Sequence, residues 1–324
     1  MNTLGKKLVF TSFGESHGKA IGGVLDGVRA GVEIDMAMLR QALDQRAGRC
    51  QEGMEHGVSP RAVREQDEVE WLSGVVDGIT LGTPIAFLIR NRDARPGDYE
   101  WLKETYRVGH ADEVYEKKYG IRDHRGGGRA SARETAARVV AGSVAQQLLR
   151  EHGIHISAEL VQVGKETDRA KFEDYILDVQ KDGDSIGGIV ECHITGLPAG
   201  VGEPIFDKLQ SHLAFAIMSI NACKGFEYGS GFDGVGMRGS EMYLSNDDRL
   251  LSGGIAGGIS DGKDLVFRCV FKPTASNRKT LEAMKADAPA GRHDACIAVR
   301  AVAVVEAMAA LVIADLMEEM MDIK

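Results

Sequence analysis

Along 262–274 the apolar residues Leu265, Phe267, Cys269 and Phe271 alternate with Val266, Arg268 and Val270. That two-residue period predicts a strand with one face on a core. The stretch 186–198 reads as a second strand, and 67–91 as short strands broken by glycine turns. Elsewhere the period lengthens. Over 36–48, Met38, Leu39, Ala42 and Leu43 share one helical face behind Asp35, a natural N-cap. Ser131-Ala132-Arg133-Glu134 has the S-x-x-E form of a capping box and predicts a helix from about 132 to 151, stopped at Gly153. Helices are also expected over 203–220 and, shorter, from Tyr99 to Tyr106. The segments 50–63 and 251–262 read as loops. The most apolar run, IAVRAVAVVEAMAALVIADLM from Ile297, carries Arg300, Glu306 and Asp315, so it predicts a buried helix rather than a membrane span. No Pro/Ser-rich linker divides the pattern, which favours one domain over 1–324.

Composition narrows the class. The 324 residues are 44% hydrophobic and 27% charged, ordinary values for a globular chain. With 40 glycines against 7 prolines, many tight turns and close backbone approaches to a ligand are expected. A net charge of −9 argues against a nucleic-acid binder. The five cysteines, Cys50, Cys192, Cys223, Cys269 and Cys296, form no C-x-x-C pair and read as buried thiols in a reducing compartment, with no metal site. The start is too short in apolar residues for a signal peptide, so a cytoplasmic, membrane-free protein is expected.

Three features could carry chemistry. The stretch Gly14-Glu15-Ser16-His17-Gly18 fits G-x-S-x-G, the mark of a serine-hydrolase elbow. It lies too early for the strand-to-helix setting, and the strand-like KAIGGVLDGVRAG follows it, so Ser16 is disfavoured as a nucleophile. Second, Lys117, Lys118, Arg122, Arg125, Arg129, Arg133 and Arg138 form a cationic run around Gly126–Gly128 and a helix start. Free helix N–H groups, close backbone and guanidinium forks together suit a phosphate or carboxylate. Third, His17, His110 and His293 stand in polar, glycine-containing surroundings where an acid or base could work, whereas His56, His155 and His212 read as ordinary residues.

The segments FGESHG, KYGIRDHRGGGRASARET, AIMSINACKGFEYG, SGGIAGGISDG, FKPTAS and GRHDAC occur in this order between residues 13 and 296. In that order and context they resemble the chorismate synthase family. The resemblance implies an α+β fold, a β-α-β sandwich of antiparallel sheets with surrounding helices. It implies a lyase of the shikimate pathway, serving aromatic amino acid biosynthesis. The reaction would be 1,4-anti elimination of phosphate from 5-enolpyruvylshikimate 3-phosphate, with reduced FMN (FMNH2) required but no net redox change. A homotetramer is implied. The reductant, NADPH used directly or an external flavin reductase, stays open.

By the same resemblance, His17 would be the acid near the departing phosphate and His110 would serve the reduced flavin. Asp294, working through Ser131, would help remove the C6 proton. Flavin contacts would come from Arg129, Ala130, Ser131, Asn221, Ala222, Gly257, Lys272, Pro273, Thr274, Ala275, Ser276 and Arg292. Arg46, Arg133 and Arg292 would hold substrate anions or NADP. The chain departs from the family at DQRAGR, where most members carry Arg-Arg-Arg-Pro-Gly, and in the loop that follows. Arg46 matches there and Arg49 is an open second position. A divergent paralogue that binds flavin or phosphoanion without this activity is therefore the alternative.

Overall fold

The structure is a computed structural model that describes residues 2–49, 67–92, 96–247, 252–284 and 294–323. Two antiparallel sheets enclose a layer of helices. The first has the strand order Thr3–Leu4, Val9–Gly14, Ala20–Asp26, Ile85–Arg90, Val69–Trp71. The second has the order Cys223–Tyr228, Leu265–Phe271, Gly188–Thr195, His155–Val163. Helices of the described residues are α1 (Met36–Ala47), α2 (Asp112–Tyr119), α3 (Thr135–Glu151), α4 (Phe172–Lys181), α5 (Leu209–Met218), α6 (Gly239–Tyr243), α7 (Arg278–Ala283) and α8 (Ala298–Ile323). α3 packs on the first sheet, α8 lies against the second, and the two helices pack on each other. Their apolar side chains form one continuous buried cluster. This is the α+β sandwich of antiparallel sheets around helices.

α8 explains how an apolar helix tolerates charge. It is buried along nearly its whole length, so each ionic group on it must find a partner. Arg300 donates to Asp294 Oδ2 (3.0 Å) and to the Arg46 carbonyl (3.0 Å). Glu306 accepts from the Ala158 backbone N–H (2.7 Å) on the neighbouring strand. Asp315 Oδ1 accepts from the backbone N–H groups of Lys6, Lys7 and Leu8, at 2.6–2.9 Å, fixing the N-terminal strand onto the helix. α3 and α8 approach so closely that a side chain at Gly142 would overlap Ala307, which only glycine avoids. Among the described residues no helix is long and apolar enough to cross a membrane.

Several local expectations shift. The helix expected over 203–220 begins only at Leu209, because the Leu209 N–H donates across to the Gly258 carbonyl (2.8 Å) instead of back along its own turn. The capping box opens a 3-10 turn, Ala132–Glu134, and the α-helix starts at Thr135. Ser131 does accept from the Arg133 N–H (3.3 Å), but Glu134 turns to Arg138 and Asn221. The loop expected over 251–262 contains a small hairpin, Ile255–Ala256 with Ile259–Ser260. The short helix near Tyr99 is a 3-10 helix, Pro96–Lys103. Cys192, Cys223, Cys269 and Cys296 are buried free thiols as expected, and burial pushes Cys296 up to about 11. The 50–63 loop, Cys50, His56, Arg292 and His293 lie outside the described residues.

Candidate active site

The G-x-S-x-G stretch forms the turn between two paired strands, Val9–Gly14 and Ala20–Asp26. A nucleophile elbow needs a strand running into a helix, so this geometry removes the hydrolase reading. The Gly18 N–H closes the turn on the Glu15 carbonyl (3.0 Å). Asn91 Nδ2 clamps it from below, donating to the carbonyls of Glu15 (2.9 Å) and Gly18 (3.0 Å). Ser16 is only 5% exposed. Its hydroxyl lies 3.0 Å from His17 Nδ1, so the serine orients its neighbour rather than presenting itself. Tyr99 meets the His17 ring edge-on, with centroids 4.6 Å apart.

The second histidine arrives from a different part of the chain. His110 stands just before α2, with Nδ1 2.9 Å from Asp112 Oδ1 and 3.1 Å from the terminal nitrogen of Arg107. Lys272 Nζ donates to the Gly109 carbonyl (2.8 Å), tying this loop to the end of strand Leu265–Phe271. Between the two histidines runs the glycine turn. A side chain at Gly126 would collide with the His17 ring, and one at Gly127 would come within 3.3 Å of His110 Nε2 and 3.1 Å of Ser131 Cβ. Gly126 also has φ +92°, a conformation that glycine adopts without strain. Glycines therefore let backbone pack against both imidazoles, with no room for a side chain at Gly126 and little at Gly127.

Around this pair the expected residues gather. Arg129 donates to Ser12 Oγ and to the Gly14 carbonyl (3.1 Å), tethering the glycine turn to the strand that leads to His17. Asn221 Nδ2 donates to the Ser131 carbonyl (2.9 Å). Ala222, at φ +71°, accepts from the Lys272 N–H (3.0 Å). Thr274 Oγ1 donates to the Asp294 carbonyl (2.9 Å), and Ala275 lies near Gly109. Thus Arg129–Ser131, Asn221–Ala222, Lys272 and Ala275 are linked to the loops of both histidines, while Thr274 reaches the Asp294 backbone and the Asp294 carboxylate faces Arg300.

Two expected residues sit differently. Gly257 belongs to the hairpin whose Gly258 carbonyl receives the Leu209 N–H at the start of α5, whereas Asn221 follows that helix's end. The hairpin also precedes strand Leu265–Phe271, while Lys272–Ser276 follow it. That strand alone spans about 20 Å, so one copy does not bring Gly257 to the cluster. The hairpin instead borders a cavity of about 510 Å³ lined by Gln210, Phe226, Tyr228, Phe232 and Ile255 among others. Arg46 is 1% exposed, enclosed by Asp67 (3.1 Å), Thr135 Oγ1 (3.3 Å) and the Ala132 carbonyl (2.9 Å). Asp67 also pairs with Arg133, whose Nε donates to Asn91 Oδ1 (3.0 Å). Arg46 thus supports Arg133, and Arg133 supports the clamp beneath His17.

The sequence reading missed Arg107, Asp112, Asp67 and Asn91. The R-x-x-H-x-D spacing of Arg107, His110 and Asp112 could have pointed to the first two, since a carboxylate two residues from a histidine can reach its ring. Burial pushes the Asp112 carboxyl up, but hydrogen bonds and charge from Arg107 and His110 outweigh it and hold that carboxyl well below the ordinary range. Asp67 gave no local signal.

A family model described as chorismate synthase matches residues 8–317. A protein named chorismate synthase from Christiangramia forsetii is 46% identical over 97% of this chain and 96% of its own length. One of the same name from Bacteroides thetaiotaomicron is 45% identical over 97% of each chain. A solved structure described as a crystal structure of chorismate synthase superposes with a TM-score of 0.74 at 29% identity, covering 97% of this chain and 93% of that one. With this match running almost end to end, the chain belongs to the chorismate synthase family.

Proposed function

We propose that this chain removes phosphate from 5-enolpyruvylshikimate 3-phosphate by 1,4-anti elimination to give chorismate, with reduced FMN as cofactor. The single observation that carries the reading is the placement of His17 and His110 on either side of the Gly126–Gly127 backbone. Two proton-transfer groups on separate loops, held apart by a bare turn, suit a reaction that loses a phosphate at one carbon and a proton at another.

The surrounding residues fit a flavin phosphate and a substrate with three anionic groups. Arg129 and Lys272 supply cationic groups, and the missing side chains of Gly126 and Gly127 let the turn backbone pack against His17 and His110. Arg129, Ala130, Ser131, Asn221, Ala222 and Lys272–Ser276 would hold the flavin. Reduced FMN, when bound, would supply electron density to the allylic system with no net redox change. His17, oriented by Ser16, gives a proton to the phosphate oxygen as the C–O bond breaks. His110 keeps its Nε2 toward the flavin side of the glycine turn. Asp294, with Arg300 held 3.0 Å from its carboxylate, assists release of the C6 proton. Arg133 draws the substrate's anionic groups, with Arg46 behind it.

Homotetramer formation completes this reading. Gly257 is separated from the cluster within one copy, so a second copy would bring it to a flavin. Light scattering checks this, since a fully active monomer would remove the assembly from the account. NADPH or an external reductase would keep the flavin reduced. For the activity itself, the chain is mixed anaerobically with reduced FMN and substrate, and chorismate absorbance is followed. Product formation is expected. Bound flavin without product would favour a paralogue lacking this activity.

A further inference from the structure

We infer that Asp112 is a positioning residue that fixes the tautomer and direction of His110, so that Nε2 carries the lone pair in the neutral ring and faces the Gly127–Ser131 turn. The inference rests on the reading above that His110 serves the reaction, but its geometry is independent of that reading. Asp112 is the first residue of α2 and is 4% exposed. Its carboxylate accepts from the Arg107 backbone N–H (3.1 Å), from Arg107 Nε (2.8 Å) and from the Arg107 terminal nitrogen (2.7 Å). His110 Nδ1 lies 2.9 Å from the same carboxylate.

The hydrogen on Nδ1 follows from counting donors. A carboxylate held in its charged form by a guanidinium can only accept. A 2.9 Å contact to an unprotonated Nδ1 would set two lone pairs against each other, so Nδ1 carries the hydrogen and donates it to Asp112. The Arg107 terminal nitrogen is 3.1 Å from Nδ1 but has other acceptors for its two hydrogens, Asp112 Oδ1 (2.7 Å) and the Gly126 carbonyl (3.3 Å). In the neutral ring Nε2 is then the bare nitrogen, and it is Nε2 that lies 3.3 Å from where a Gly127 Cβ would stand. In the protonated ring, Nε2 offers its hydrogen in that same direction.

A carboxylate in the first turn of a helix that anchors an arginine is common without any such role, so the test must separate the two. The charged groups facing His110 are Asp112 and Arg107 on its own loop and Lys272, which binds the Gly109 carbonyl from strand Leu265–Phe271. First, nitrogen-15 histidine spectra of the unaltered protein above pH 8 are expected to report His110 as the Nδ1–H tautomer; the Nε2–H tautomer overturns the inference whether or not any variant folds. Second, Asp112→Asn is compared with wild type and with the same change in a His110→Ala background. We expect at least about a tenfold loss of turnover in the single variant, with the roughly 10²–10⁴ that an acid–base group supplies as its upper bound, together with a shifted pH profile. No further loss is expected once His110 is absent. An equal loss in both backgrounds makes Asp112 merely structural. Full turnover by His110→Ala would instead sink the role of His110 in the reaction, while the spectra still decide the tautomer.

Discussion

Gly126 backs directly onto His17: any Cβ at position 126 would overlap Nδ1 and Cε1 of the imidazole. The glycine also sits at φ +92°. Gly126→Ala should therefore push the ring from its place, strain the turn by about 1–3 kcal/mol, and lower turnover by about tenfold or more. Steady-state chorismate formation, read beside the melting temperature, checks this. Wild-type turnover would show that the close fit does not set the His17 position.

His17→Ala removes the proposed proton donor without touching the Arg129 tether on Ser12 and Gly14. Turnover should fall by about 10²–10⁴, while titration with reduced FMN gives an unchanged affinity. Retained turnover refutes the assigned role.

Arg129→Ala cuts that tether and takes a cation from the proposed flavin site. A hydrogen bond from a charged donor contributes about 1.5–3 kcal/mol, so flavin affinity should weaken by roughly 10- to 100-fold. Equilibrium dialysis with FMN measures it, and an unchanged affinity would place the flavin elsewhere.

Asp67 stands between two buried guanidinium groups, Arg46 and Arg133. Asp67→Ala leaves both charges without this partner and should cost about 3–5 kcal/mol of stability. A fall in the urea midpoint of matching size is expected, and a change below about 1 kcal/mol would mean the arginines find other carboxylates.

Glu306 gives a pH signature in stability. Burial pushes its carboxyl up to about 7, against the lowering effects of the Ala158 N–H, Gln146 and Arg150. Between the ordinary carboxylate value of 4.5 and about 7, the folded chain keeps a proton that the unfolded chain has released. Stability from this group is thus complete below that window and is lost as pH rises through it. Glu306→Gln keeps an acceptor for Ala158 but carries no charge. It should be more stable than wild type at pH 8, by up to about 3 kcal/mol, and equal to it near pH 4. Parallel thermal melts across this range would expose any failure, since a constant difference between the two proteins would contradict it.

Much of the fold was readable because single elements carried complete patterns. Strand Leu265–Phe271 alternates because one face is buried, and α8 is apolar all round because sheet and helices cover it on every side. Even the charges on α8 were a signal, since a buried ion requires a partner; the sequence showed Arg300 but not that Asp294 and the Arg46 carbonyl would receive it. Readings failed where a distant group overrode local preference. Residues 203–208 look helical, yet Ile205 and Phe206 are exposed and the Leu209 N–H pairs with Gly258 from the later hairpin. Glu134 fits a capping box, yet Arg138 and Asn221 take its carboxylate.

The candidate site divides along the same line. By itself the sequence determined the family, the two histidines, the glycine turn and the cationic run, because ordered motifs and residue chemistry are local properties. Only the tertiary structure decided that Gly126 and Gly127 separate His17 from His110, that Asp67 joins Arg46 to Arg133, and that Gly257 lies at the far end of strand Leu265–Phe271 from Lys272. Those relationships join residues tens to hundreds of positions apart. They are fixed by strand order and helix packing, which no stretch of sequence expresses alone.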